Sequence, residues 1–448
     1  MKRFLAHVII EAKTPLKVGG GKNDLFLDAP VQRDWNGLPM ILGTSVAGIL
    51  RRAFEDCKGE DDVNEIFGTK DERDPSKQKG SRLIISNALL LVDKNNKVCE
   101  ELLLEKSEFL RLFDILPIRD HVAIGANGVA KDAGKFDEEV VFKGTRFKFS
   151  LEFDGSKKEF GGILNLLCDP TLRLGGGSSK GFGSLGISEI KWGEFEPDRY
   201  SSSLNFSSDE FVKFMPESAK DDNLKRQKFI RYELKILPDD FFMFGSGFGD
   251  KDADQTPVLE SVIDYENKCL GKRKILIPAS SVKGALSHRT AFHFNKINKQ
   301  FGEKAKVGSE NEAVREIFGY EKNKNDKGAK GKILISDCFL DYDEAKDTKV
   351  FEHVSIDRFT GGAIDSALFQ EKAVAKRDEF IIEILLKNDA RDDTEKRAFK
   401  NVLEAFETAL DDVVQGRLSL GGATTKGYGF FKGRVLKYNE GRIENEKE

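Results

Sequence analysis

Landmark motifs that recur in one order in both halves, strand-like runs alternating with amphipathic helices, and a glycine-rich turn closing each half predict an α+β fold built twice. The 448 residues carry 72 Lys plus Arg against 76 Asp plus Glu, a formal charge of −4. That near balance argues against a protein that coats nucleic acid indiscriminately, and it leaves room for a local basic groove. Hydrophobic residues at 39%, with 35 Phe among the aromatics, suffice for real cores and argue against wholesale disorder. Five scattered cysteines, none in a Cys-x-x-Cys pair, fit a reducing cytoplasm and supply no zinc site. The basic, apolar start meets Glu11 and Lys13 before a signal-peptide core can form, and no uncharged run approaches a membrane span.

The repeated landmarks run through most of the chain. Val18-Gly19-Gly20-Gly21 answers to Phe244-Gly245-Ser246-Gly247, and Asp28-Ala29-Pro30-Val31 to Asp254-Gln255-Thr256-Pro257-Val258. The stretch Met40-Ile41-Leu42-Gly43-Thr44-Ser45-Val46-Ala47-Gly48 matches Leu276-Ile277-Pro278-Ala279-Ser280-Ser281-Val282-Lys283-Gly284. Ile66-Phe67-Gly68 pairs with Ile317-Phe318-Gly319, Leu83-Ile84-Ile85-Ser86 with Ile333-Leu334-Ile335-Ser336, and His121-Val122-Ala123-Ile124 with His353-Val354-Ser355-Ile356. Leu174-Gly175-Gly176-Gly177-Ser178-Ser179-Lys180-Gly181-Phe182-Gly183 matches Leu420-Gly421-Gly422-Ala423-Thr424-Thr425-Lys426-Gly427-Tyr428-Gly429. The spacing between counterparts drifts from 226 to 251 residues, so the copies differ by loop insertions and not by order. This reading gives a first domain at 1–191, a Ser-rich and charged linker at 192–228 with a short helix at 208–214, and a second domain at 229–448.

Within each copy the elements follow in turn. After an opening strand and glycine loop, residues 45–56 place Val46, Ile49, Leu50, Ala53 and Phe54 at helical spacing, with Thr44 or Ser45 as N-cap, and residues 281–293 repeat the pattern. Residues 146–153 and 379–386 read as strands, and 400–410 as an amphipathic helix. Two strand-helix-strand units with one sheet face covered fit a ferredoxin-like sandwich.

Three motifs carry chemistry. The closing glycine runs, Gly175, Gly176, Gly177, Ser178 and Gly181 in one copy and Gly421, Gly422, Thr424 and Gly427 in the other, permit positive φ and close main-chain approach to a phosphate, and Lys180 and Lys426 add charge. The helix starts at Thr44, Ser45, Ser280 and Ser281 offer unpaired N–H groups beside Arg51, Arg52, Lys283 and Arg289. His121 and His353 either contact nucleic acid or fill a structural role. The cations Lys180, Lys283, Lys426, Arg51, Arg52, Arg289 and Arg358 are expected to gather along one groove facing nucleic acid.

The combination resembles the RAMP superfamily of CRISPR-associated proteins, in particular the backbone subunits of type III effector complexes, and the duplicated layout resembles the tandem fusions of type III-D systems. The resemblance rests on residues 28–31, the helix start at 277–284, the run His353-Val354-Ser355-Ile356-Asp357-Arg358-Phe359-Thr360-Gly361-Gly362-Ala363 and both closing loops. It implies modified ferredoxin-like, RRM-like domains with thumb-like insertions. Each would grip CRISPR RNA, with Gly19 and Gly20 also at the RNA, and cut the complementary target RNA beside a displaced base. By the same resemblance Asp28 is the catalytic and metal-holding residue of the first copy and Asp254 its counterpart, with Asp252 as a competing choice. The metal would be Mg2+ or Mn2+, and the partners further RAMP proteins, a large polymerase-like subunit and small subunits, with no membrane and in the cytoplasm. Two alternatives stand beside this: a non-catalytic guide-RNA scaffold, and an endoribonuclease that processes precursor CRISPR RNA. In two places the first copy departs from the family pattern, with Ala47 where the second has Lys283 and no Asp-Arg-x-Thr-Gly run after His121.

Overall fold

The computed structural model describes residues 2–21, 29–69, 74, 78–95, 97–125, 129–196, 211–216, 229–322, 327–388, 393–439 and 442–446. The strands of the first half are β1 (Arg3–Ala12), β2 (Met40–Ile41), β3 (Leu83–Ile85), β4 (Ala88–Leu90), β5 (Ile118–Ile124), β6 (Ala130–Glu139), β7 (Arg146–Asp154), β8 (Leu185–Phe195) and β9 (Val212–Lys213). Its helices are α1 (Gly43–Lys58), α2 (Glu60–Phe67), α3 (Glu108–Arg111) and α4 (Lys157–Leu167). The second half holds β10 (Phe229–Pro238), β11 (Leu259–Glu260), β12 (Ile263–Asp264), β13 (Cys269–Leu270), β14 (Lys274–Ile277), β15 (Gly319–Tyr320), β16 (Ala329–Lys330), β17 (Ile333–Ile335), β18 (Cys338–Asp341), β19 (Thr348–Ile356), β20 (Ala363–Val374), β21 (Phe380–Lys387), β22 (Phe431–Asn439) and β23 (Arg442–Glu446). Its helices are α5 (Ala279–Ile297), α6 (Glu312–Phe318), α7 (Glu344–Asp347) and α8 (Asp393–Val414).

Each half forms one antiparallel ferredoxin-like sheet. The spatial order β3-β7-β1-β8 matches β17-β21-β10-β22, so both halves obey the same β-α-β-β-α-β path. The sequence explains these elements locally. In β7 the alternation of Phe147, Phe149, Leu151 and Phe153 with polar residues sends every aromatic or aliphatic side chain inward. Helix α4 starts at a Ser156–Glu159 capping box. In α8 the residues Val402, Ala405, Phe406, Ala409, Leu410 and Val413 make one buried stripe at helical spacing, with Phe406 edge-on to Tyr232 of β10 at 5.7 Å. The central strand β1 is buried along nearly its whole length.

From each sheet projects a two-stranded hairpin, β5 with β6 and β19 with β20, the second tied at its base by bridges from β20 to Phe242 and Gln255. These are the expected thumb-like insertions. The expected helix at 208–214 is not what forms at its described residues: Val212 and Lys213 make a strand that pairs with Trp192 and Lys191. The exposed edge of β8 supplies the hydrogen-bonding partners that decide this, and Phe211 packs on His7 at 4.8 Å. Residues 208–210 lie outside the described set.

The halves share more than a tether. Ile263 and Tyr265, at the β12 turn of the second half, are buried in the core of the first, where Tyr265 lies edge-on to Phe109 at 5.2 Å. The Tyr265 hydroxyl accepts the Arg146 N–H at 3.1 Å, and the Ile263 N–H donates to the Lys143 carbonyl at 3.0 Å.

Candidate nucleic-acid interface

Where each hairpin leaves its sheet, one arrangement is built twice. In the first half His121 stacks on Phe136 at 5.0 Å and reaches Glu138 at 3.3 Å. Lys180 of the closing loop lies over Phe136 at 4.5 Å and 3.8 Å from Glu138, which also takes Lys17. In the second half His353 stacks on Phe369 at 4.9 Å and meets Glu371 at 2.9 Å, while Lys426 lies over Phe369 at 4.6 Å and pairs with Glu371. Both glutamates are buried. Burial would raise the Glu138 carboxyl, but contacts from His121 and Lys17 and the charge of Lys180 hold it down at about 2. The clamp therefore fixes the projecting hairpin to the glycine loop through an ionised Glu138.

This placement revises the phosphate-cradle reading of the loops. Lys180 and Lys426 face a protein carboxylate, and the histidines serve the same clamp. Several loop N–H groups are also engaged internally: Gly176 donates to the Lys17 carbonyl at 2.8 Å and Gly422 to the Met243 carbonyl at 2.7 Å. Gly175 and Gly421 are glycine because a β-carbon would stand 2.2 and 2.5 Å from those same carbonyl oxygens, on top of a positive φ. Thr424 opens a short 3-10 turn closed by Gly427, and Ser178 is buried. What remains for a ligand is the outer edge of each lysine, whose side chain keeps 37% of its exposure. Gly19 and Gly20 lie in an antiparallel link to residues 30–31, mirrored by Gly245 with Pro257, and Gly19 is exposed.

The helix starts are corrected as well. Leu42 and Pro278 occupy the N-cap positions, and Thr44, Ser45, Ser280 and Ser281 sit in the first turn without capping. The caps come from a neighbouring loop: Asn87 Oδ1 accepts the Gly43 N–H at 2.9 Å, and Asp337 Oδ1 accepts the Ala279 N–H at 2.8 Å. A carboxylate thus already meets the positive end of α5.

The seven cations do not gather along one groove. Arg51 ties α1 to α2 through the Gly68 carbonyl and Asn64, each at 2.8 Å, and Arg289 pairs with Asp412 of α8 beside His293. Side chains of this length satisfy nearby carbonyls and carboxylates whenever the fold offers them, which a linear pattern cannot show. Two of the seven do meet: Lys283 donates to Ser179 at 3.1 Å, and burial, with the charge of Lys180 adding, pushes the Lys283 ammonium down to about 8. A second group, unforeseen in composition, forms where the halves meet. Burial and the charges of Arg52, Lys387 and Arg173 lower the Lys330 ammonium. Arg358 is exposed at the tip of the second hairpin, where Asp357 accepts the N–H groups of Phe359 and Thr360 and Phe359 is 99% exposed.

Asp28 lies outside the described residues. The bridges Gly19–Val31 and Gly245–Pro257 share a chain offset of 226, and the same offset counted along the sequence pairs Asp254 with Asp28 despite the apparent extra residue before Pro257. Asp254 is exposed at the base of the second hairpin, its Oδ2 accepting the Gln370 N–H at 2.8 Å. Asp252 belongs to a different cluster. With Asp250 and Glu344 it surrounds the Lys372 ammonium, at 3.5, 2.6 and 2.9 Å. The lysine supplies the positive charge that a metal ion would bring there, so this trio does not fit a resident cation. Asp254, with one oxygen engaged and the carboxylate open to solvent, fits a divalent ion that takes its other ligands from phosphate and water.

Glu138, Glu371, Phe136 and Phe369 were missed in the sequence. The signal was present as Phe136-Asp137-Glu138-Glu139-Val140-Val141 against Phe369-Gln370-Glu371-Lys372-Ala373-Val374, masked by the alternation of a two-stranded hairpin.

Two ferredoxin-like sheets, each with a projecting hairpin clamped to a glycine loop, define a duplicated α+β protein with paired candidate RNA surfaces. The chain belongs to the RAMP superfamily, whose family model matches residues 9–186 and 270–432. Among solved structures it is similar to a chain of the type III-B Cmr-beta complex bound to cognate target RNA, at 18% identity and a TM-score of 0.32, covering 43% of this chain and 61% of that one. No curated protein matches. Among the described residues no helix is long and apolar enough to cross a membrane.

Proposed function

We propose that this chain is a CRISPR RNA-binding backbone subunit of a type III interference complex in the cytoplasm, and that it contributes metal-dependent cleavage of guide-paired target RNA. The observation that carries the reading is Asp254: an exposed carboxylate at the base of a projecting hairpin, at the chain offset that pairs it in sequence with Asp28. The hairpin tip, with Arg358 and Phe359 standing in solvent, suits displacement of a base, since an exposed ring can stack where a nucleotide has been unstacked. Arg52, Arg173 and Lys330 lie near one another beside Lys387, which pairs with Asp56, and a phosphate backbone laid across this group would add the negative charge that it lacks. Mg2+ or Mn2+, held by Asp254 and by position at Asp28, would stabilise charge on the scissile phosphate. Base pairing with the guide supplies sequence recognition, and the partners are the target RNA, further RAMP proteins, a large polymerase-like subunit and small subunits.

A scaffold without cleavage is the second reading, favoured by Lys372 filling the acidic trio. Precursor processing is less favoured, because neither closing glycine loop carries a histidine of its own to serve as general base. The test is a complex assembled on guide RNA with Asp28→Ala, Asp254→Ala or both, and a labelled target. Loss of one cut per substitution with guide retained supports cleavage. Retained guide with every cut intact leaves the scaffold, and failure of the unaltered chain to retain guide refutes the RNA reading.

A further inference from the structure

The contact between the halves is a head-to-tail one, and each of its two faces exists twice. One face is the closing glycine loop with the adjoining hairpin strand; the other is the helix start with the loop that caps it. In the internal contact Gly181 bridges to Ser336 and Arg119 enters the second half. There Arg119 Nε donates to Glu260 at 2.7 Å and Nη1 to Asp337 at 2.9 Å, with all three side chains buried. Arg119 also lies over Phe182 at 5.3 Å.

The corresponding outer faces carry different residues. Strand register puts Arg119 opposite Glu138 and Phe351 opposite Glu371, so Phe351 holds the arginine's place in the second half, packed against Tyr428 and Phe241. Asn87 holds the place of Asp337, each accepting the first N–H of its helix. The bridge Arg33–Pro39 and the pair Leu259–Ile275 align Asp34 with Glu260, and Asp34 is consumed by the N–H groups of Asn36 and Leu38. The outer faces are open: Gly427 and Asn87 are exposed.

We propose that the Arg119–Glu260–Asp337 triad is a junction code that confines this head-to-tail contact to the two halves of one chain, so that the protein does not extend by docking copies of itself. A buried ion cluster adds little stability over an apolar contact, but it penalises any partner that leaves one of its charges unpaired. A second copy would bring Phe351 to Asn87, with no cation at the contact and with Asp34, already engaged by its own turn, as the one carboxylate in an equivalent place. The covalent tether further favours the internal match through its effective concentration.

Sedimentation velocity across a wide concentration range tests this on the full-length protein. The unaltered chain is expected as a single chain throughout, and Phe351→Arg with Asn87→Asp is expected to add concentration-dependent head-to-tail species. Self-association of the unaltered chain that Gly427→Arg abolishes would overturn the proposal, as would a folded double variant that stays single. Should that variant not fold, Arg119→Glu decides by small-angle scattering. The radius of gyration is expected to rise and to return when Glu260→Arg is added, and an unchanged radius refutes the code.

Discussion

Gly181 and Gly427 close equivalent loops with φ of +113° and +92°, yet a β-carbon on Gly181 would stand 2.0 Å from Asp337 Oδ1 while one on Gly427 meets nothing within 4 Å. The shared conformation is a need of the loop itself, and the close approach is a need of the junction. Repetition in the sequence thus reports what each half requires to fold. The departures from repetition, Arg119 against Phe351 and Asp337 against Asn87, report what the halves require of each other.

The comparison breaks most sharply at the triad. Arg119→Ala leaves two buried carboxylates without their cation and is expected to cost about 3–5 kcal/mol. Phe351→Ala, at the same position of a half-exposed cluster, should cost about 1–2 kcal/mol. Denaturant midpoints that fall equally would show the two sites to be alike after all. Next, Gly181→Ala combines left-handed strain with overpacking, about 3 kcal/mol, against about 1 kcal/mol for Gly427→Ala, which meets strain alone; thermal unfolding of the pair measures the gap.

The clamps should behave alike where the junction does not. Glu138→Gln weakens the charge-assisted contacts to Lys17 and Lys180, and Glu371→Gln that to Lys426, and about 2 kcal/mol of local stability is expected to go from each hairpin. Hydrogen exchange should show β5–β6 and β19–β20 losing protection separately. A loss spread over both hairpins from one substitution would mean that the halves unfold as one.

The smallest effect concerns Lys283, whose counterpart is Ala47. Its folded value of about 8 lies below the unfolded value, so between the two the unfolded chain holds a proton that the folded chain has released. Stability should therefore rise with pH from about 8 upward and be flat below it on this group's account. For a half-buried ammonium the screened size is about 1–2 kcal/mol. Denaturation of Lys283→Met across alkaline pH is expected to lack that rise, and an identical slope in both proteins would remove Lys283 from the buried surface.

The duplicated ferredoxin-like path was legible because strand and helix periodicities are local: residues 146–153 and 400–410 lie inside β7 and α8 as read. The hairpins were legible only as insertions, and their clamps not at all, since Glu138 and Lys180 meet across 41 intervening positions. The helix caps failed for the same reason: hydroxyls near a helix start suggest a cap, but Asn87 and Asp337 arrive from elsewhere in the chain. Cations were the least legible, because Arg51 and Arg289 find partners that depend on how helices pack.

Tyr265 and Ile263 carry a consequence for anyone who would cut this chain into cassettes. They belong by sequence to the second copy and by packing to the first, filling the space beside Phe109. A fragment ending before the second copy would open a hole in its own interior and leave Arg146 without its phenol cover. The two copies descend along the chain as repeats, but in three dimensions each is finished by the other, so shuffling one half between homologous chains would have to carry the residue 263–265 turn with the half it completes.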